Sequence, residues 1–173
     1  MLVEGSLDGN RVEGTAAILF ADLCGFTEYT WRHGDERGAD LATDFHRRVR
    51  VLAEEEGCRV IKSIGDAVMV QSADCCVALR LAYRIVALGQ IGSYPPIRAG
   101  LDSGPVVERE GDWYGSTVNA AARVADAAGP GELLLTERAR DAVAGTRGIA
   151  LAGRGLRDLK GLPAVRLHAV LAA

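Results

Sequence analysis

The chain has 173 residues, 49% hydrophobic and 25% charged, with a formal net charge of −3; these are the proportions of one globular domain with its own core. No apolar run approaches the ~20 residues a membrane helix needs. The scattered arginines build no basic patch for nucleic acid, so no nucleic-acid partner and no membrane segment are expected.

The polar opening, residues 1–13, reads as a loose tail, and residues 14–173 as one domain. Thr15 to Ala21 is a short apolar run between Gly14 and Asp22 and predicts a buried strand. Helical sequence follows to about Glu56, with Leu41, Phe45, Val49 and Leu52 recurring at four- and three-residue steps. Gly57 stands where a C-cap is expected.

Cys58 to Ile64 and Ala67 to Gln71 read as two strands joined by the tight turn Gly65-Asp66. Asp74 to Leu88 predicts an apolar helix. Pro95 and Pro96 precede a strand from Ile97 to Leu101, with another from Pro105 to Glu110. Ser116 to Ala128 reads as helix, Glu132 to Thr136 as strand and Glu137 to Val143 as a short helix. Ile149 to Val170 predicts one or two strands around an Arg157-Asp-Leu-Lys160-Gly turn.

Strand, helix, hairpin, helix, strand is the order of an α+β, ferredoxin-like βαββαβ core, here with extra C-terminal strands. In that topology the first and third strands are antiparallel neighbours. The end of the first, at Asp22, then meets the start of the third, at Asp66. Two adjacent carboxylates repel unless a cation lies between them. Hard oxygen ligands with no Cys/His set beside them favour Mg²⁺ or Mn²⁺, and such ions take phosphate oxygens. The natural substrate is then a nucleoside triphosphate. Cys24, Gly25, Phe26 and Thr27 form a turn opening a helix, whose free N–H groups suit phosphate. The reading requires that neither carboxyl be buried against a permanent arginine.

The four cysteines (Cys24, Cys58, Cys75, Cys76) form no CxxC pair, and a reduced cytoplasmic setting is expected. His33, His46 and His168 show no metal-ligand spacing. Only two lysines accompany eighteen arginines. Lys62 and Lys160 therefore mark places where a compact ammonium is wanted rather than a planar guanidinium. Asn119 and Arg123, four apart, project from one helix face with small alanines between them.

Phe20-Ala-Asp22-Leu-Cys-Gly-Phe-Thr27, Lys62-Ser-Ile-Gly-Asp66-Ala-Val-Met69 and Asp112-Trp-Tyr-Gly-Ser-Thr-Val-Asn119-Ala-Ala-Ala-Arg123 resemble the three signature segments of class III nucleotidyl cyclases. Bacterial adenylyl cyclases, mycobacterial ones especially, are the nearest in pattern, and the similarity runs from about Gly14 to the C-terminus. The resemblance implies that Asp22 and Asp66 hold two divalent cations (Mg²⁺ or Mn²⁺), with the Leu23 carbonyl a further ligand. It implies that Lys62 and Asp112 read the base, Asn119 positions the ribose, Arg123 stabilises the transition state and Lys160 contacts the triphosphate. It further implies a head-to-tail homodimer with ATP sites shared between chains.

Donor and acceptor chemistry agrees with the base assignment. Adenine offers an N1 acceptor and an N6 donor; Lys62 only donates and Asp112 only accepts. Guanine presents the reverse, and two unmatched groups at ~1–3 kcal/mol each would disfavour GTP by roughly a hundredfold or more. Trp113, beside Asp112, could shape that pocket, lie at the dimer seam or simply pack; Trp31 has no assigned role.

Overall fold

The computed structural model describes residues 12–92 and 94–172. Thirteen elements follow in order: β1 (Val12–Leu23), α1 (Phe26–His33), α2 (Asp35–Glu56), β2 (Arg59–Ile64), β3 (Ala67–Ser72), α3 (Cys75–Gln90), β4 (Ile97–Arg109), β5 (Asp112–Tyr114), α4 (Ser116–Ala127), β6 (Leu133–Thr136), α5 (Glu137–Ala142), β7 (Ala150–Arg157) and β8 (Val165–Ala172). The strands form one mixed sheet in the order β2-β3-β1-β4-β6-β8-β7, with β5 paired to β4 off this path. Its first four members have the expected ferredoxin-like arrangement, and β6, β7 and β8 extend it.

The core follows from side-chain alternation along the central strands. Ala17, Leu19, Ala21 and Leu23 of β1 pack with Phe45, Val49 and Leu52 of α2 and with Leu79, Ala82 and Ile85 of α3. The intervening Ala16 and Ile18 face the other way, into a smaller cluster with Met69, Val106, Trp113 and Ala121 of α4. Trp113 is therefore a packing residue of this chain, while Trp31 stands exposed on α1.

Three local expectations are corrected. The long helical stretch is two helices, because Gly34 takes φ 92 between α1 and α2, a conformation L side chains rarely adopt. The two strands foreseen after Pro96 are one, since β4 pairs with β1 along its length, from Leu23↔Ile97 to Val12↔Glu108. Proline is tolerated at position 105 because β6 pairs only with Ala99–Leu101, leaving a single neighbouring strand there. Val12 and Glu13, assigned to the tail, begin β1; residues 1–11 of that expectation lie outside the described residues.

One close approach places α4. A Cβ on Gly100 would lie 2.1 Å from the backbone nitrogen of Ala125 and 2.7 Å from the carbonyl oxygen of Ala121. Only hydrogen fits there, so the last turns of α4 rest directly on β4, next to the rim where β1 ends.

Candidate functional site

The register of β1 against β3 runs Ala17↔Ser72 to Ala21↔Val68. It brings the end of β1 beside the β2–β3 turn, whose Gly65 takes φ 61. The Leu23 N–H donates to Oδ2 of Asp66 at 3.2 Å, so Asp66 lies against the end of β1, within a residue of Asp22. The convergence expected from topology is present. Burial is the largest cause raising the Asp66 carboxyl above its ordinary pKa; the Asp22 charge adds to it, and the N–H donors at Asp66 and Leu23 offset part.

Asp22, Leu23, Cys24, Gly25, Phe26, Thr27 and Asp66 line one concavity of about 370 Å³, together with Arg98, Ala128 and Pro130. Gly25, at φ 75, is the N-cap of α1 and makes no side-chain cap bond. The first N–H groups of α1 therefore face the concavity without side-chain partners from a cap, as anion sites require.

Arg98 is the residue that sequence reasoning missed. It lies directly across the ladder from Asp22; its Nε reaches Oδ1 at 2.7 Å and its Nη2 reaches Oδ2 at 2.9 Å. One signal was legible: Arg98 is the single charged residue in the otherwise apolar stretch Ile97 to Leu101. Asp22 therefore has an arginine partner, whereas the expectation was that neither carboxyl be buried against a permanent one. The pair nevertheless opens onto the concavity, with side-chain exposures of 29% for Arg98 and 18% for Asp22. A competing cation can reach the same oxygens from solvent.

Among the described residues no group of three or more His, Cys, Asp or Glu side chains gathers at one point. Two carboxylates alone suit a hard divalent ion that completes its shell with backbone oxygen, water or phosphate. Asp22 and Asp66 offer the carboxylate oxygens that Mg²⁺ or Mn²⁺ prefers, those of Asp22 being engaged here by Arg98.

A second group assembles on the α4 face of the sheet. Lys62 pairs in register with Met69, a member of the cluster on that face. Asp112 is carried over the same face by β5, and Lys62 Nζ meets its Oδ2 at 2.6 Å. This hydrogen bond is the main cause holding the Asp112 carboxyl below its usual pKa. Asn119 and Arg123 are exposed on α4, and Lys160 is exposed between β7 and β8. None of these five residues lines the Asp22–Asp66 concavity.

The chain matches the family model described as the adenylate and guanylate cyclase catalytic domain over residues 10–171. It is 37% identical over 139 residues to an uncharacterized protein of Mycobacterium tuberculosis strain H37Rv, covering 80% of this chain and 37% of that protein. It is 32% identical over 139 residues to an adenylate cyclase of Streptomyces griseus, covering 80% of this chain and 35% of that one. The chain thus spans little more than a third of the length of these relatives. The adenylyl cyclase CyaB of P. aeruginosa shares the fold with a TM-score of 0.84 at 21% identity, covering 95% of this chain and 97% of that one. Because the family model spans residues 10–171, nearly the whole chain, the chain belongs to the class III nucleotidyl cyclase family.

Proposed function

We propose that the chain is an adenylyl cyclase, converting ATP to 3′,5′-cyclic AMP and pyrophosphate at sites completed by a second copy of itself. The observation that carries the reading is the meeting of Asp22 and Asp66 at one rim, beside the free N–H groups that open α1. Asp22 and Asp66, with the Leu23 carbonyl, would hold two divalent cations. Bound there, such ions would supply Lewis-acid charge that polarises the α-phosphate and stabilises the leaving pyrophosphate.

The chain's own residues supply the rest. The backbone N–H groups from Gly25 to Thr27 receive phosphate oxygens, while that of Cys24 is already donated to the Pro96 carbonyl at 2.8 Å. Lys62 and Asp112, already paired at 2.6 Å, exchange each other for the N1 and N6 edge of adenine, one donating and the other accepting. Asn119 orients the ribose so that its 3′-OH attacks the α-phosphorus in line, its proton passing to solvent as the bond to pyrophosphate breaks. Arg123 meets negative charge growing on the phosphoryl oxygens, where one donor can contribute ~3–4 kcal/mol. Lys160 neutralises the triphosphate.

Since Lys62, Asp112, Asn119, Arg123 and Lys160 do not line the Asp22–Asp66 concavity of their own chain, a head-to-tail homodimer supplies them in trans. The test is a mixing experiment. Asp22→Ala and Arg123→Ala chains are each inactive, and mixing them restores part of the cyclic AMP formation with Mn²⁺–ATP. Mixtures no better than either parent refute the shared site. Equal turnover of GTP and ATP refutes the base assignment.

A further inference from the structure

Arg98 and Arg123 converge on one residue of the same chain. Asp126, in the last turn of α4, accepts from Arg123 Nη1 on Oδ2 at 3.2 Å. Its Oδ1 lies 3.8 Å from Arg98 Nη2, and its backbone carbonyl accepts from Arg98 Nη1 at 2.9 Å. Arg98 in turn grips both oxygens of Asp22. A continuous path of charge, Asp22–Arg98–Asp126–Arg123, runs through one chain. The side chain that Gly100 lacks makes the path possible, because α4 rests on β4 two residues from Arg98.

We propose that Asp126 is a positioning residue that couples cation capture at Asp22 to the freedom of Arg123 on the same chain. This rests on the roles proposed above for Asp22 and Arg123. A divalent cation and Arg98 compete for the same two oxygens of Asp22. When the cation takes them, the released guanidinium stays anchored at the Asp126 carbonyl and has the Asp126 carboxylate beside it. Drawn closer to Oδ1, Arg98 shares the single negative charge of that carboxylate and repels the second guanidinium, so the hold of Oδ2 on Arg123 weakens. Without a cation the order reverses: Arg98 returns to Asp22, and Asp126 holds Arg123 in store. In a dimer with shared sites, Asp22 serves one site and Arg123 the other. Cation binding at one site therefore readies the arginine of its neighbour. By reciprocity, anything that removes Arg123 from Asp126 eases the departure of Arg98 and tightens cation binding.

That reciprocity is measurable without turnover. Mn²⁺ alone is titrated into the nucleotide-free protein, and free ion is followed by its electron paramagnetic resonance signal. Four chains are compared: parent, Arg123→Gln, Asp126→Asn and the double variant. Exposed ion pairs are weak, so Arg123→Gln is expected to tighten Mn²⁺ binding by roughly twofold to fourfold, although Arg123 touches neither Asp22 nor Asp66. In the Asp126→Asn background the same substitution is expected to change affinity by less than about 1.5-fold, because the shared carboxylate is gone. Loss of a distant positive charge would tighten binding equally in both backgrounds, and that result overturns the proposal. So does parental affinity in Arg123→Gln. The mixing experiment is independent: coupling in the cycle with no complementation between chains leaves this linkage standing and removes the shared site.

Discussion

Replacing Gly100 with alanine tests how the site is held. The added Cβ would sit 2.1 Å from the Ala125 nitrogen and 2.7 Å from both the Ala125 Cα and the Ala121 carbonyl oxygen. All three are backbone atoms, so no rotamer change relieves the clash, and ordinary contact begins near 3.4 Å. The helix must lift by more than an ångström, loosening Thr117, Ala120, Ala121, Val124 and Ala125, its buried face. That places the cost at the upper end of overpacking, about 3 kcal/mol. At 2–4 °C per kcal/mol for a chain of this size, the melting temperature should fall by about 6–12 °C. Circular dichroism melts of Gly100→Ala and Gly14→Ala provide the assay; a Cβ on Gly14 meets no atom within 4 Å, so that variant should melt with the parent. The proposed cyclic AMP formation, which assigns roles to Asn119 and Arg123 of α4, should also be depressed in Gly100→Ala well below its melting point. A Gly100→Ala chain melting within about 2 °C of the parent would refute the argument that direct helix–strand contact positions α4.

Asp102 is fully buried and held by Thr136 Oγ1 at 2.5 Å, the Ser103 N–H at 2.8 Å and the guanidinium of Arg138. Arg138→Met removes the cation paired with it and should destabilise the fold by about 3 kcal/mol in urea unfolding, with Asp102→Asn in the same chain recovering part of the loss. Lys62→Met removes the partner that depresses the Asp112 pKa. The stability this pair contributes is present above the ordinary carboxylate pKa of ~3.9 and lost as pH falls through the depressed value. The melting gap between parent and Lys62→Met should therefore close in acid, and a gap constant down to pH 2 would contradict the pairing. Burial pushes the Cys75 thiol up to about 12. With about one thiolate in ten thousand at pH 8, it should be the slowest of the four cysteines to react with Ellman's reagent until the chain unfolds; prompt reaction of all four in the native protein would count against that burial.

Much of the fold was legible because it depends on short-range pattern. The apolar steps through Phe45, Val49 and Leu52 mark the buried face of α2, and Gly65-Asp66 marks the β2–β3 turn. The order of elements then carried Asp22 and Asp66 to one rim by topology alone. Gly34 could be read as a break only by weighing its left-handed conformation against the helical residues on either side. Pro105 was read as a boundary between strands, and pairing with β1 overrode that local signal.

The sequence by itself determined which side chains are available for chemistry and which strands bring the two acidic residues together. Only the tertiary structure decided that Asp22 is answered by Arg98, and that Arg98 and Arg123 converge on Asp126. The Arg123–Asp126 pair is a local contact three residues apart on α4, but the contacts of Arg98 with Asp22 and Asp126 span 76 and 28 residues. They depend on the register of β1 with β4 and on how closely α4 can approach a glycine. Neither distance is encoded in local periodicity, because a helix or strand pattern says which face is apolar and nothing about what the opposite face will meet.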